Sequence, residues 1–209
     1  MSEITTILWD VGGVLLTNGW DHRERAAVLA NFGLDRDPFE QRHPEPNDQW
    51  EKSLITVEEY LDRTIFYEPR SFTPADFLSA MKAQSKVLDD SALGIIRELA
   101  ASDDRGLELG MLNNEARELN DYRIDQFGLI DCFDIFVSSC YVGMRKPDPN
   151  IYRAALDLLQ RDPAEAIFID DRAENAAAAT ALGIRGIHYQ GSENLRSELA
   201  RLGIPVKQN

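Results

Sequence analysis

Short apolar runs alternate with longer amphipathic stretches along most of the chain. The first run covers residues 4–9, is rich in β-branched side chains and leads directly into Asp10. Similar runs recur at residues 107–112, 135–137, 166–169 and 186–189, and stretches with helical periodicity separate them. Short runs of this kind predict buried strands. Strands that alternate with helices form parallel sheets, so we predict an α/β fold of about five parallel strands with helices on both faces.

One long stretch interrupts this alternation and contains no pattern typical of a strand. Helices are predicted over residues 21–32, from Asp37, after the capping-box residue Thr56 and after Thr73. Two prolines within residues 43–48 favour a loop there. We therefore predict a small all-helical domain, residues 16–87, inserted after the first strand. Residues 1–15 and 88–209 then form the core domain around the sheet.

Composition and charge narrow the classes of partner. Apolar residues make up 44% of the 209, enough for a hydrophobic core, and 36 acidic against 22 basic residues give a net charge of -14. Such a charge disfavours nucleic acid and anionic membranes as partners. Cys132 and Cys140 match no zinc or redox spacing and are expected to be buried free thiols. With no targeting segment or membrane-length apolar run, the protein is expected to be soluble and cytoplasmic.

Residues suited to chemistry follow four of the predicted strands. In chain order they are Asp10 with Gly12 and Gly13, then Asn113 and Asn114, then Arg145 and Lys146 on a loop, and finally Asp170 and Asp171. The carboxyl ends of parallel strands lie at one edge of the sheet, where ligands bind in open α/β folds. Glycines beside an acid let the backbone turn sharply and approach a ligand closely. We therefore expect these side chains to meet in one crevice.

The order of acid, amide, lysine and paired acids resembles the haloacid dehalogenase-like superfamily of phosphatases and phosphotransferases. The most specific pieces are residues 143–152, GMRKPDPNIY, and residues 168–171, FIDD, followed by Asn175 and Gly183. The resemblance covers nearly the whole chain. It implies a Rossmann-like parallel sheet, and it identifies residues 16–87 as the helical cap that family members place after the first strand.

The resemblance also implies roles for the strand-end residues. Asp10 occupies the position of the family nucleophile, which forms an aspartyl phosphate with a small phosphorylated substrate. Lys146 matches the lysine that neutralises the nucleophile and the phosphoryl oxygens. Mg²⁺ would lie between the two negative groups, because it takes oxygen ligands and shares them with phosphate. Its implied ligands are Asp10, the backbone carbonyl of Gly12 and the acidic pair, in which Asp171 is favoured and Asp170 is the alternative.

Four further residues are expected to contact the substrate. Asn113 stands where the family usually has a serine or threonine that hydrogen-bonds the phosphoryl group, and its amide also offers two donors. Asn114 matches an asparagine common beside that position, and Gly13 follows the nucleophile in the same loop. Both asparagines are alternatively turn residues that close a strand. Arg145 either sits beside the site or pairs with an acid elsewhere.

Gly12 departs from the family pattern, because this position usually carries a second aspartate that protonates the leaving group and then activates water. General acid–base help is typically worth about 10² to 10⁴ in rate. A substitute acid would come from the insertion, with His22 as a candidate, from water or from the substrate.

Three functions follow, in this order. The first is a phosphatase, and the second is a catalytically weakened protein that binds a phosphorylated ligand. The third is a haloacid dehalogenase that displaces halide from carbon without a metal, and the acidic pair argues against it.

Overall fold

The structure of the protein, a computed structural model, describes residues 3–102 and 106–207. Five strands form one parallel sheet in the order β3-β2-β1-β4-β5. They are β1 (Thr6–Trp9), β2 (Glu108–Asn113), β3 (Ile135–Ser138), β4 (Ala166–Asp170) and β5 (Arg185–His188). Each strand predicted from the apolar runs is present, and the α/β prediction is confirmed.

Helices cover both faces of the sheet, as predicted. Successive side chains of a strand point to opposite faces, so Trp9 joins the apolar cluster on one face and Leu8 the cluster on the other. The first face packs against α6 (Asp90–Ala100) and α11 (Ser192–Arg201), and the second against α9 (Pro149–Leu159) and α10 (Ala173–Ala181). The other α-helices among the described residues of this part are α7 (Arg117–Gln126) and α8 (Ser139–Val142).

Between β1 and α6, where the structure describes every residue, there are five helices and no strand. They are α1 (His22–Asn31), α2 (Arg36–Arg42), α3 (Pro44–Glu51), α4 (Val57–Thr64) and α5 (Pro74–Lys82). The predicted capping boxes at Thr56 and Thr73 are both formed. These helices enclose an apolar cluster of their own, which includes Trp20, Trp50 and Tyr60. We refer to this helical insertion as the cap.

The chain leaves the sheet and returns to it at neighbouring positions. An isolated antiparallel bridge joins Leu16 to Val87, which is where the sequence predicts the cap to begin and end. This contact supports our proposal that residues 1–15 and 88–209 form the core domain and residues 16–87 the cap. The outermost residues of that core domain, 1 and 209, lie outside the described part of the chain.

The loop predicted over residues 43–48 is wrong, because α3 begins at Pro44. Pro44 and Pro46 both lie in the first turn of this helix. The first N–H groups of a helix have no partner within it, so proline loses nothing at these positions. The prolines therefore start the helix instead of interrupting it, and they leave His43 at the junction of α2 and α3.

Both cysteines are buried free thiols, as the sequence predicts. Among the residues that the structure describes, no helix has the length and apolar character needed to cross a membrane.

Candidate functional site

The order of the strands brings the two acidic segments together. The chain builds outward from β1 to β2 and β3 and then returns to the other side of β1 with β4. Trp9 and Ile169 are paired in register, and the backbone N–H of Asp10 donates to the carbonyl of Ile169 at 2.8 Å. Such a switch point opens a crevice at the carboxyl edge of a parallel sheet. Asp10 and Asp170 therefore emerge side by side at the bottom of this crevice.

Lys146 bridges these two acids. Its Nζ lies 3.1 Å from Asp10 Oδ1 and 2.7 Å from Asp170 Oδ2, and it donates to the carbonyl of Leu112 at 2.9 Å. The side chain is almost completely buried. Three acceptors at these distances hold the ammonium in one place, with its charge directed at the carboxylate of Asp10.

Asn114 fixes the loop that carries this lysine. Its Nδ2 donates to the backbone carbonyl of Lys146 at 2.9 Å, and its Oδ1 accepts from the backbone N–H of Lys146 at 2.8 Å. The two bonds pair the asparagine amide with the backbone N–H and carbonyl of a single loop residue. Asn114 also lines the cavity above the site, so it combines a positioning role with access to a ligand.

The two adjacent acids have different surroundings. Asp170 is fully buried, and its oxygens accept from Lys146, from the amide of Asn175 and from the backbone N–H of Arg172. Asp171 is only partly buried, and the one hydrogen bond to its carboxylate comes from Asn18 Nδ2 at 3.5 Å among the described residues. Asp171 is therefore the acid with oxygens available to a cation, while Asp170 holds the lysine.

Gly13 makes the position of Asp171 possible. A Cβ on Gly13 would lie 2.1 Å from Asp171 Oδ2 and 2.3 Å from its Cγ. The backbone of Gly13 also has φ of 72°, a left-handed conformation that side chains disfavour. The carboxylate of Asp171 thus packs directly over the glycine backbone, in the loop that follows Asp10.

The group of carboxylates fits a divalent cation. One oxygen from each of Asp10, Asp170 and Asp171 lies within 4.8 Å of the others. Three carboxylates and the Lys146 ammonium leave two negative charges in a buried site. Burial, reinforced by the neighbouring acids and opposed by Lys146, raises the pKa of Asp10, and burial together with Asp170 raises the pKa of Asp171. An all-oxygen donor set of this charge suits Mg²⁺.

Two of the residues expected to contact the substrate have protein partners in this structure. Asn113 is buried, and its Nδ2 donates to Asn120 Oδ1 at 2.9 Å; it is not among the residues that line the cavity. Arg145 lines the cavity but pairs with two acids of the cap, Asp48 at 3.2 Å and Glu51 at 3.0 Å. Arg145 thus both borders the cavity and forms ion pairs that tie the cap to the core, and its contact with a substrate stays a prediction.

Among the described residues, the three atoms nearest to a Cβ at Gly12 belong to Asn18 and Arg123, and neither residue is an acid. A Cβ on Gly12 would lie 2.9 Å from Asn18 Oδ1 and 3.9 Å from Arg123 Nη1. Arg123 is buried and forms an ion pair with Glu115 at 2.6 Å. Burial raises the pKa of Glu115 to about 7, and the guanidinium opposes this shift. His22, the candidate acid in the cap, is exposed and contacts Arg25 at 2.9 Å.

Several residues of this site were not predicted from the sequence. Glu115 directly follows Asn114 in the short loop after β2, so its place in the chain was a usable signal. Arg123 lies in α7, the helix that follows this loop. Asn18, Arg25 and His43 come from the cap and carry no local signal. Only the packing of the cap against the core brings them to the crevice.

The cap closes the crevice into a cavity of about 620 Å³. Besides the two ion pairs of Arg145, an ion pair from Arg172 to Asp21 at 2.9 Å links the cap to the core. Trp50 Nε1 also donates to Glu118 at 2.9 Å. Most of the lining side chains are polar or charged. They are Asp10, Asn18, Asp21, His22, Arg25, Glu40, His43, Asn47, Glu51, Asn114, Glu115, Arg123, Arg145, Lys146, Asp171, Arg172, Glu174 and Asn175.

Comparisons with known proteins agree on one family. A family model described as a haloacid dehalogenase-like hydrolase matches residues 4–183. Flavin mononucleotide hydrolase 1 of Arabidopsis thaliana is 32% identical over 180 residues, which cover 86% of this chain and 71% of that protein. A sesquiterpene phosphatase of Aspergillus oryzae is 42% identical over 72 residues, which cover 34% of this chain and 37% of that protein.

A solved structure shares the fold. A HAD family enzyme from Bacteroides thetaiotaomicron matches with a TM-score of 0.81 at 22% identity, over 95% of this chain and 99% of that one. The complex of that enzyme with magnesium and inorganic phosphate matches with a TM-score of 0.68 at 24% identity, over 87% and 91% of the two chains. Because the family model and the Arabidopsis hydrolase each match most of its length, this protein belongs to the haloacid dehalogenase-like hydrolases, as the order of its strand-end residues predicts.

Proposed function

We propose that this hydrolase is a Mg²⁺-dependent phosphatase that cleaves a small phosphorylated metabolite through an aspartyl phosphate on Asp10. Its main support is the meeting of Lys146 with the carboxylates of Asp10, Asp170 and Asp171 in one buried crevice. A dehalogenase that works without a metal does not need three carboxylates with oxygens within 4.8 Å of one another. The phosphatase names of the relatives and the magnesium and phosphate complex of the Bacteroides enzyme point the same way.

The metal would be held by Asp10, Asp171 and the backbone carbonyl of Gly12. When bound, Mg²⁺ would screen the negative charges of the attacking carboxylate and the phosphoryl group from one another. Asp170 is assigned a different task, because its oxygens already accept from Lys146 and Asn175. It positions the lysine beside the nucleophile.

In the first step an oxygen of Asp10 forms a bond to phosphorus, and the bond between phosphorus and the leaving-group oxygen breaks. Asp10 Oδ1 already accepts from Lys146 and from the backbone N–H of Val11 at 2.8 Å, whereas Oδ2 has no such partner among the described residues. The ammonium of Lys146 stabilises the charge that develops on the phosphoryl oxygens. In the second step water attacks phosphorus, the bond to Asp10 breaks, and inorganic phosphate leaves.

The site lacks a side chain that would protonate the leaving group. Gly12 supplies no acid, so the leaving oxygen takes its proton from water in the cavity, and the attacking water returns one to solvent. Alkoxides need this proton far more than aryl oxides do. We therefore expect aryl phosphates to be cleaved much faster than alkyl phosphates.

A panel of aryl and sugar phosphates, assayed with and without Mg²⁺, tests the proposed reaction. We expect phosphate release that depends on Mg²⁺ and is lost in Asp10→Asn, together with a phosphorylated Asp10 in rapid-quench mass spectra. Release that is insensitive to both Mg²⁺ and Asp10→Asn would refute the proposal.

The two buried thiols are compatible with a reducing compartment, and we place the activity in the cytoplasm.

Gly12 and Asn113 also favour a second candidate function, the binding of a phosphorylated ligand. With a glycine in place of an acid at position 12 and with the amide of Asn113 bonded to Asn120, the site is also suited to holding a phosphorylated ligand without turning it over. Ligand binding that depends on Mg²⁺, with no release from any ester in the panel, would favour this function over the phosphatase.

A further inference from the structure

Three cap residues that are distant in sequence form a hydrogen-bonded chain that ends at the cavity. Trp20 Nε1 donates to the hydroxyl of Tyr60 at 2.7 Å, and this hydroxyl lies 2.9 Å from His43 Nδ1. Tyr60 is completely buried and His43 is 6% exposed. The imidazole also stacks on Phe39, with ring centroids 5.1 Å apart. The ring of His43 is thus held in one orientation from two sides.

The chain of donors fixes the proton on the imidazole. An indole N–H can only donate, so the oxygen of Tyr60 accepts from Trp20. The single hydroxyl proton of Tyr60 then goes to His43 Nδ1 at 2.9 Å, because an imidazole nitrogen is a stronger acceptor than the hydroxyl of Thr64, which itself donates to the carbonyl of Tyr60. A neutral imidazole that accepts at Nδ1 carries its proton at Nε2.

The imidazole is neutral at physiological pH. Burial, and after it the positive charge of Arg25, lowers the pKa of His43 to about 4, while Glu40 opposes the shift. Arg25 is itself paired with Glu40 at 3.1 Å and donates to the carbonyl of Trp20 at 2.8 Å. The cation therefore stays where it disfavours a second positive charge on the histidine.

His43 lines the same cavity as Asp10 and Lys146. Its Nε2 has no hydrogen-bond partner among residues 3–102 and 106–207. The cavity around it is polar, and within the described part of the chain only Trp20 and Pro44 contribute apolar side chains to the lining. A ligand that fills the space between the cap and Asp10 must therefore offer hydrogen-bonding groups, since an apolar one would leave these side chains unsatisfied.

We propose that His43 is a specificity-determining residue whose Nε2–H donates to an oxygen on the leaving group of the substrate, and that the substrate is a hydroxyl-rich, sugar-like phosphate monoester. The proposal rests on the proposed function, because it places the phosphoryl group at Asp10. It goes beyond that function by assigning the other end of the cavity to a neutral donor that the cap orients.

Two ligands with the same carbon chain separate hydrogen bonding from size. Hexyl phosphate and glucitol 6-phosphate both carry six carbons, and only the second carries hydroxyl groups. Binding is measured by calorimetry in Asp10→Asn with Mg²⁺, so turnover is not needed. We expect glucitol 6-phosphate to bind at least about tenfold more tightly than hexyl phosphate, since unpaired buried polar groups penalise the apolar ligand.

Substitution of His43 in the same background gives the decisive comparison. His43→Phe keeps a ring against Phe39 and removes the donor, and we expect it to reduce the preference for glucitol 6-phosphate by about tenfold or more. His43→Gln returns an N–H near the position of Nε2 and should restore most of it. An unchanged preference in His43→Phe, or equal binding of the two ligands by the parent protein, would overturn the proposal.

The tautomer is tested separately by long-range proton–nitrogen spectra of histidine-labelled protein. We expect the His43 ring to be protonated at Nε2 and unprotonated at Nδ1, and Tyr60→Phe to disturb this pattern. A proton on Nδ1 in the parent protein contradicts the inference. If glucitol 6-phosphate binds preferentially but no ester releases phosphate, the phosphatase proposal is wrong and the role of His43 stands. If phosphate is released but His43→Phe leaves the binding preference unchanged, the role of His43 is wrong and the phosphatase proposal stands.

Discussion

Gly13→Ala should weaken metal binding although Gly13 is not a ligand. The substitution places a methyl group where the structure has only 2.1 Å to Asp171 Oδ2 and 2.3 Å to Asp171 Cγ. Such distances are far shorter than any van der Waals contact, so the carboxylate of Asp171 must move. Asp171 has the oxygens that remain available to a cation, and its displacement separates it from Asp10.

Two effects set the expected magnitude. The left-handed conformation of residue 13 costs a non-glycine residue about 1–2 kcal/mol, which lowers the free energy of unfolding by that amount. Loss of the support that orients a metal ligand typically costs about 10- to 100-fold in metal affinity. We therefore expect a 10- to 100-fold higher dissociation constant for Mg²⁺ together with a modest loss of stability.

Calorimetric titration with Mg²⁺ measures the first effect and urea unfolding without metal measures the second. Gly128→Ala is the matched control, because Gly128 has φ of 63° and a Cβ there would meet nothing within 4 Å. It should show the same loss of stability with unchanged Mg²⁺ affinity. If Gly13→Ala binds Mg²⁺ as tightly as the parent protein does, Asp171 is not the ligand that we infer.

Two further predictions concern the acid missing at Gly12 and the histidine of the cap. The first is the double substitution Gly12→Asp with Asn18→Ala, in which the second change removes the oxygen 2.9 Å from the new Cβ. It should reduce the ratio of kcat/KM for aryl phosphates to kcat/KM for alkyl phosphates by about tenfold or more. An unchanged ratio argues that the missing acid does not limit the reaction. Because the pKa of His43 is lowered to about 4, the unfolded chain binds a proton there from about pH 6.5 downward that the folded protein does not. The free energy of unfolding should therefore fall between about pH 6.5 and 4 by about 3 kcal/mol more in the parent protein than in His43→Phe, and parallel urea titrations with superimposable pH profiles would contradict this.

Much of the architecture follows from local patterns in the sequence. Apolar runs of strand length, separated by helical periodicity, were sufficient to predict a parallel sheet, because strands buried on both faces must be continuously apolar. The residue types at the ends of these strands then indicated one crevice that contains Asp10, Lys146, Asp170 and Asp171. The error at α3 came from reading Pro44 as a breaker when its position in the first turn favours a helix start.

The sequence also left choices that depend on the direction of single side chains. Asn113 and Asn114 are adjacent at the end of β2, and neighbouring side chains there point in different directions. In the structure the Asn114 side chain hydrogen-bonds the backbone of Lys146, whereas the Asn113 side chain hydrogen-bonds Asn120. The two acids also differ: the oxygens of Asp170 accept hydrogen bonds from several protein groups, whereas those of Asp171 remain available to a cation.

What the sequence determined by itself was the kind of fold, the family and the set of residues at the sheet edge, since each depends on patterns within a few neighbouring residues. Only the tertiary structure decided the surroundings of those residues. Trp20, His43 and Tyr60 lie on separate segments of the cap, and no local pattern connects them. Their hydrogen bonds exist because the apolar cluster of the cap brings the segments together, and such long-range packing sets both the proton on the histidine and the polar lining of the cavity.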